Sequence, residues 1–230
     1  MLDFILKAVR TLDCLFYFKG IGSANNNRRW YFMLVKKQEK LKKKKAIIVD
    51  ALKRCLESDV YSRITVQNIA DEAGFSKGGV LHYFKTKEDI YLELIESIFS
   101  ELERSHIDIL KRDLTSNEIA PLSALLGVES FIFDKTNTRI VLNLILYAFE
   151  EPKIMELFTG FLHKHKDFYT NLIIRSRKDR ESKRKSDLDP VYLSRIAQSI
   201  VLFIGILEIM DPSSIDYVEI VRYISTLLKG

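Results

Sequence analysis

Three capping residues set at short intervals limit most strongly how this chain can fold. Thr65, Ser76 and Thr86 each stand directly before a stretch with helical periodicity, and each carries the hydroxyl that an N-cap needs. The intervals between them leave room for helices of only about two turns each. Gly74 ends the first stretch, where a left-handed residue is favoured. The segment therefore predicts two short helices, joined by a tight turn and followed by a longer helix.

Longer helical patterns flank this pair. Ile48, Leu52, Cys55 and Leu56 recur at helical spacing and predict a first helix over about 38–57. After Thr86, acidic residues in the first turn and an apolar pattern predict a helix over 87–113. With Val80, Phe84, Ile69 and Ala70 as core residues between them, this arrangement is that of a helix-turn-helix.

The segment from Ile64 to Leu94, "ITVQNIADEAGFSKGGVLHYFKTKEDIYLEL", resembles the N-terminal DNA-binding domain of the TetR family of transcriptional regulators. The matching positions are Thr65, Ile69-Ala70, Ala73-Gly74, Ser76-Lys77-Gly78, Tyr83-Phe84-Lys85 and Lys87-Glu88. The resemblance implies an all-α fold, in which a three-helix helix-turn-helix domain precedes a helical domain for ligand binding and dimerisation. It also implies that the second short helix enters the major groove of DNA.

The DNA contacts that the resemblance implies agree with the chemistry of the residues. Helix N-termini present free N–H groups to phosphates, and a lysine can donate to guanine. Lys77 and His82 are expected to contact base edges, and Tyr83 and Lys87 are expected to contact phosphates. Two alternatives stay open: His82 is only an exposed side chain, and Tyr83 is only a packing aromatic. The expected contact residues are Thr65, Gln67, Ser76, Lys77, Gly78, Gly79, His82, Tyr83, Thr86 and Lys87.

Gly78 and Gly79 stand where alanine would stabilise the helix by up to about 1 kcal/mol each. We expect both to face the groove, where a missing side chain lets the backbone approach DNA. The alternative is that they only ease packing at the tight turn.

Charge is divided unevenly along the chain. Residues 33–87 hold 13 Lys/Arg against 6 Asp/Glu, a net +7, whereas residues 88–230 hold 18 against 23, a net −5. Such a basic block is typical of a phosphate-binding unit. Lys42 to Lys45 are expected along the DNA backbone, with a merely solvated surface as the alternative.

The rest of the chain contains helical patterns without chemical motifs. They predict helices at about 121–135, 137–151, 152–178, 189–210 and 214–229. The charged stretch 175–187 is expected to be the frayed end of one helix and a loop. Pro121 and Pro152 are expected in first turns. The run "IAQSIVLFIGIL" is apolar nearly all round, which fits the family's pairing of its last two helices in a homodimer. A ligand pocket is expected among aromatic residues that are otherwise ordinary core, namely Phe131, Tyr147, Phe149, Phe161, His165, Phe168 and Tyr169.

The sequence lacks the motifs of the common enzyme classes and of metal sites. The sequence has no Gly-rich phosphate loop, nucleophile elbow or HExxH, so no enzyme and no cofactor is expected. His163 and His165 point apart on a helix and cannot easily share a metal. Cys14 and Cys55 form no metal spacing and fit a reducing cytoplasm. Residues 1–32 are too often charged for a membrane span; we expect an extra helix or an upstream extension before a start at Met33.

The sequence thus predicts an extension over 1–32, a DNA-binding domain over 33–86 and an effector-binding, dimerising domain over 87–230. The expected function is a TetR-like regulator, most simply a repressor, that binds a palindromic operator as a homodimer and leaves it when a small molecule binds. Double-stranded DNA and an unidentified effector are the expected partners. Two alternatives remain: a non-specific architectural DNA-binding protein, and an interaction module whose second short helix no longer contacts DNA.

Overall fold

The computed structural model describes residues 24–130, 135–179, 188–211 and 216–229, and all regular structure in these ranges is helical. Only residues 24–32 of the predicted extension over 1–32 fall within these ranges, and the predicted pocket residue Phe131 lies outside them. The chain divides into two units, Met1–Lys45 and Ala46–Gly230. Helices in the described ranges are α1 (Ala24–Ser58), α2 (Val66–Ala73), α3 (Lys77–Tyr83), α4 (Lys87–Leu110), α5 (Ser116–Val128), α6 (Lys135–Ala148), α7 (Pro152–Asp179), α8 (Pro190–Met210) and α9 (Tyr217–Lys229).

The predicted core of the helix-turn-helix is confirmed. Ile48, Leu52 and Leu56 of α1 are completely buried, and so are Ile69 of α2 and Val80 of α3. Phe84 and Ile90 join the same apolar cluster from the two sides of the Thr86 cap. Burying these side chains, at about 1.5 to 3 kcal/mol each, offsets the low intrinsic stability of helices as short as α2 and α3.

Some predicted boundaries are wrong. Helix α1 begins at Ala24 rather than near residue 38, and α4 ends at Leu110 rather than 113. Helix α5 spans Ser116–Val128 instead of 121–135, so Pro121 lies inside the helix and not in its first turn. Glu118 accepts hydrogen bonds from the backbone N–H and the hydroxyl of Thr115, at 2.8 Å each. This Thr-x-x-Glu pair starts the helix one turn before the proline, and it was visible in the sequence.

The C-terminal helices form a bundle. Helix α5 packs against α9, α7 packs against α4, α6, α8 and α9, and α6 also packs against α8. Gly127 of α5 permits a close approach, because a Cβ there would lie 3.2 Å from Cγ2 of Val201 on α8. The same Cβ would lie 3.5 Å from the Tyr169 hydroxyl of α7. Three helices therefore meet at this glycine.

Helix α8 is the most apolar long helix in the described part of the chain. By length and hydropathy alone it would suffice to cross a membrane. One of its faces is buried in the bundle through Leu193, Ala197, Val201 and Gly205. That burial is what a core helix of a bundle requires.

Candidate nucleic-acid interface and effector site

The predicted N-caps are confirmed. The Thr65 hydroxyl accepts from the Asn68 backbone N–H at 3.2 Å, and the Asn68 side chain accepts from the Thr65 N–H at 2.9 Å. Thr86 and Asp89 form the same reciprocal pair at 3.2 and 3.1 Å. Each capping box satisfies two backbone donors that a helix start leaves free. The sequence thereby fixes where α2 and α4 begin.

The turn between α2 and α3 has the expected geometry. Gly74 adopts φ +69° and ψ 33°, the left-handed conformation that costs glycine no steric strain. Its neighbour Phe75 donates its N–H to the carbonyl of Ala70 at 2.9 Å, which closes the end of α2. Ser76 then caps α3 by accepting from the Gly79 N–H at 3.0 Å.

Most of the predicted contact residues lie at the surface of this unit. The exposed ones are Thr65, Gln67, Ser76, Lys77, Gly78, His82 and Thr86, whereas Gly79, Tyr83 and Lys87 are half-buried. Lys77 and His82 stand at the two ends of α3, where both remain available to a partner.

Several of these residues already have contacts within the chain. The Gln67 amide donates to the Asp71 carboxylate at 2.6 Å, so a base contact by Gln67 would compete with that bond. The Tyr83 ring meets Phe75 edge-on at 6.0 Å and His82 at 5.1 Å. Tyr83 therefore has a packing role, whether or not its hydroxyl also reaches a phosphate.

Lys87 is held by the loop before α2. Its ammonium donates to the carbonyl of Ile64 at 3.1 Å and to that of Tyr61 at 3.4 Å. It also lies 5.7 Å from the Tyr91 ring centroid and 5.6 Å from that of Tyr147. A phosphate contact would require Lys87 to leave or share these carbonyls, which the sequence did not suggest.

The two adjacent glycines have different surroundings. A Cβ at Gly78 would have no atom within 4 Å, whereas one at Gly79 would lie 3.2 Å from the Ser76 hydroxyl and 3.5 Å from the Phe75 ring. Gly79 packs against its own N-cap, which favours for this residue the alternative that it eases packing at the turn. Its approach to DNA stays a prediction. Gly78 alone presents bare backbone at the surface of α3.

Three of the predicted pocket residues come together between α4 and α7. Phe161, His165 and Phe168 of α7 line a cavity of about 170 Å³. Leu102 and His106 of α4 complete it, and Lys164 pairs with Glu103 at its rim at 3.1 Å. His106 was missed, because a single histidine in an amphipathic helix gives no sequence signal.

The other predicted aromatic residues are placed differently. Tyr147 does not line this cavity, and Phe149 is exposed. Tyr169 is completely buried, with its ring centroid 4.4 Å from that of His165. A wider groove of about 710 Å³ runs along α4 and α7 past Phe99 and Gly160.

Burial keeps both histidines of the cavity uncharged near neutral pH. It lowers the pKa of His106 to about 4, although a hydrogen bond to the Leu102 carbonyl acts in the opposite direction. For His165, burial first and then repulsion by His106 lower the pKa to about 3. Among the described residues no three His, Cys, Asp or Glu side chains come together as a metal would require.

Tyr147 belongs instead to a junction between α6 and the helix-turn-helix. Its ring stacks on Tyr61 at 5.1 Å and meets Tyr91 at 4.8 Å, and its hydroxyl donates to Glu88 at 2.9 Å. The Tyr61 backbone N–H donates to the Asn143 side chain of α6 at 3.0 Å. We call these side chains, with Lys87 and Glu150, which accepts from the Tyr61 hydroxyl, the tyrosine junction.

The Glu88 carboxylate at the tyrosine junction is stabilised by hydrogen bonds. Burial alone would raise the pKa of Glu88, but backbone N–H groups at the start of α4 and the Tyr147 and Thr86 hydroxyls lower it overall. Burial also raises the pKa of Tyr91. Glu88 therefore stays ionised at neutral pH and acts as an acceptor for Tyr147. A hydrogen-bonded and stacked contact of this kind is suited to transmit a shift of α6 to the domain that carries α3.

Comparison with known proteins agrees with this architecture. The sequence model of the family described as bacterial regulatory proteins, tetR family, matches residues 48–94. A TetR transcription regulator from Haloarcula marismortui superimposes with a TM-score of 0.70 at 17% identity, over 81% of this chain and 97% of its own. No curated protein sequence matches the chain.

Two further solved structures have the same fold. A transcriptional regulator from Rhodococcus aligns with a TM-score of 0.66 at 12% identity, over 80% of this chain and 93% of its own. FadR from Bacillus subtilis, solved in complex with stearoyl-CoA, aligns with a TM-score of 0.66 at 20% identity, over 80% and 97%. Residues 48–94 thus match the model of the tetR family, and the described helices have the fold of these transcriptional regulators.

Proposed function

We propose that this protein is a repressor that binds a palindromic operator as a homodimer and releases it when a small molecule occupies the bundle. The observation that carries the proposal is the tyrosine junction, which joins α6 of the bundle directly to the loop before α2 and to the start of α4. Because α3 is fixed to the same core as α4, a change in the bundle can alter the placement of α3.

The DNA-binding half of the proposal rests on α2 and α3. Lys77, Gly78 and His82 are exposed on α3, the short helix that we propose for the major groove. Thr65 caps α2 and Ser76 caps α3. Lys77 can donate to guanine acceptors, while Thr65, Ser76 and Thr86 mark backbone N–H groups for phosphates. Sequence specificity requires side chains that reach base edges, because positive charge alone binds the phosphates of any sequence.

The homodimer half rests on the outer face of α8. Tyr192, Ile196, Phe203, Leu207 and Met210 recur at helical spacing, and all are exposed, Tyr192 by 70% and Phe203 by 58%. The first three of them line a largely apolar groove that also includes Ile200 and Ile204. A second copy of α8 would cover this stripe, and a two-fold dimer would supply the two DNA-binding domains that a palindromic operator needs.

Release follows from linkage between the two sites. An effector that binds the DNA-incompetent dimer more tightly than the competent one must weaken operator binding by the same factor. The cavity between α4 and α7 is the proposed effector site, since it adjoins the helix that begins at the tyrosine junction. A protein with this role acts in the cytoplasm.

The test is a salt titration of the full chain on labelled duplex from its own promoter region and on random duplex of equal length. We expect tighter binding to the promoter at every salt concentration, with a site protected over two half-sites. Equal affinity for both duplexes with a steep salt dependence would instead indicate an architectural DNA-binding protein. No binding to either would favour an interaction module.

A further inference from the structure

Two buried imidazole nitrogens at the cavity between α4 and α7 have no hydrogen-bond partner among the described residues. His106 is 3% exposed and His165 is 9% exposed, and both line the cavity. In each ring Nε2 is the atom without a partner. Leaving a buried polar atom without a partner costs about 1 to 3 kcal/mol, so two at one cavity indicate that something else binds there.

The partners of the other ring nitrogens fix the two tautomers. Nδ1 of His106 lies 2.9 Å from the Leu102 carbonyl, which can only accept, so Nδ1 carries the proton and Nε2 is an acceptor. Gln198 turns its oxygen to Arg195 at 3.1 Å and donates its amide to the Leu162 carbonyl and to Nδ1 of His165 at 3.0 and 3.2 Å. His165 therefore carries its proton on Nε2, which is a donor.

We propose that the cavity binds a compact uncharged ligand whose hydroxyl or primary amide donates to Nε2 of His106 and accepts from Nε2–H of His165. The two ring centroids are 5.2 Å apart. Because both Nε2 atoms are buried as the rings stand, the proposed binding includes a turn of the two rings toward the cavity. This inference rests on the proposed function for its role as an effector site, but not for the binding itself.

The walls define the rest of the ligand. Phe168 lies 4.3 Å from His106, and the Phe161 ring is stacked on His165 at 5.6 Å and on Phe99 at 3.6 Å. A volume of about 170 Å³ is close to the roughly 150 Å³ of an apolar protein cavity that accepts benzene. The body of the ligand is therefore a single ring or an equally small apolar group.

Charge at the cavity disfavours ionised ligands. The rim charges of Lys164 and Glu103 neutralise one another, and Arg195 is turned to Gln198. Burial holds both imidazoles uncharged at neutral pH. An anion would meet the lone pair of His106 without a compensating cation, and desolvating it would be costly.

The experiment measures binding of four single-ring probes to the full chain by calorimetry at pH 7. Phenol and benzamide carry the required group, toluene lacks it, and benzoate carries a charge. We expect phenol and benzamide to bind at least tenfold more tightly than toluene, and benzoate to bind more weakly than toluene. Benzoate or toluene as the tightest ligand, or no heat with any probe, would overturn the proposal.

Matched variants locate the site. His106→Phe and His165→Phe keep an aromatic ring and should each abolish the preference of phenol over toluene. His163→Phe makes the same change at an exposed position of α7, and Tyr169→Phe removes a buried hydroxyl beside Gly127 rather than at the cavity. Both controls should bind like the original chain. Unchanged discrimination in His106→Phe and His165→Phe would contradict the proposal.

The tautomers can also be measured directly in the original chain, so this test does not depend on whether a variant folds. Long-range proton–nitrogen NMR spectra of the original chain should show one neutral imidazole protonated at Nδ1 and one at Nε2, both perturbed by phenol. Two identical tautomers would overturn the assignment. Since these readouts contain no DNA, probe binding without any effect on operator affinity would leave this inference intact and count against the proposed release mechanism alone. Tight binding of stearoyl-CoA with no phenol binding would show that the ligand class is wrong.

Discussion

Gly78 and Gly79 are adjacent in sequence, but only Gly78 can accept a side chain freely. Because a Cβ at Gly78 meets nothing within 4 Å, Gly78→Ala should raise the free energy of unfolding by up to about 1 kcal/mol. Gly78→Leu should leave the fold intact and remove the preference for promoter DNA, since its side chain would occupy the proposed interface. Thermal unfolding and the promoter titration measure the two effects.

The neighbouring glycine is the control for that prediction. A side chain at Gly79 would press on the Ser76 hydroxyl at 3.2 Å and weaken the cap of α3, which is worth about 1 kcal/mol. Gly79→Leu should therefore lose stability as well as DNA binding. If Gly78→Leu bound the promoter with unchanged affinity, that face of α3 would not approach DNA.

His106 and His165 predict a loss of stability in mild acid. In the unfolded chain both protonate near pH 6.5, but in the folded chain they stay neutral until about pH 4 and pH 3. Between these limits the unfolded state binds protons that the folded state cannot, so the free energy of unfolding falls as pH falls. At pH 5 the loss should be on the order of 2 kcal/mol for each imidazole.

Urea unfolding at pH 7 and pH 5 tests this dependence. The two measured pH values lie above about 4, the ordinary pKa of a free carboxylate. The charged pair Glu103–Lys164 is at the rim of the cavity. His106→Phe and His165→Phe should each reduce the difference between the two pH values. An equal difference in the original chain and in both variants would show that other groups cause it.

At the scale of elements, Lys87 joins the start of α4 to the loop before α2. Lys87→Met keeps the apolar stem but removes the donor from the carbonyls of Tyr61 and Ile64. The free energy of unfolding should fall by about 1 to 2 kcal/mol, and affinity should fall for promoter and random DNA alike. Lys85→Met removes the same charge from an exposed position and should leave stability unchanged.

Stability and DNA affinity together decide what Lys87 does. If Lys87→Met loses affinity at unchanged stability, its ammonium contacts phosphate and the carbonyl contacts are incidental. If stability falls and affinity does not, its role is structural alone.

What the sequence could predict depended on how local the cause was. The starts of α2, α3 and α4 follow from Thr65, Ser76 and Thr86, because each cap is satisfied within three residues of its own position. Pro121 was misleading because the Thr115–Glu118 cap outweighs the missing proline donor. In each of these cases the deciding interaction lies within one turn of helix.

Long-range contacts were beyond the sequence. Tyr147 and Phe161 are similar apolar aromatic residues in amphipathic helices, yet one contacts Tyr61, 86 positions earlier, and the other lines the cavity. His106 acquires its partners only when α4 meets α7. Nothing in a periodic pattern separates these outcomes, since periodicity gives the buried face of a helix and not its neighbour.

At the scale of the whole molecule, the described bundle leaves one long apolar stripe uncovered while its inner face is closed. Leu193, Ala197 and Val201 bury the inner side of α8, but Tyr192, Ile196 and Phe203 remain on the outer side. An exposed apolar stripe of this length is unusual for a chain that stays monomeric. In the proposed dimer the basic DNA-binding half would gain affinity as well, since two linked half-sites bind more tightly than one.

Phe203→Glu tests whether a second copy covers α8. Placing a carboxylate in the middle of the stripe should split the dimer, because a buried unpaired charge costs far more than the contact supplies. Phe149→Glu makes the same change at another exposed phenylalanine and should leave the mass unchanged. Light scattering after size-exclusion chromatography gives the mass, and helical content by circular dichroism confirms the fold. A folded Phe203→Glu variant should bind a full operator with the affinity of a half-site, whereas an undiminished dimer mass would place the interface elsewhere.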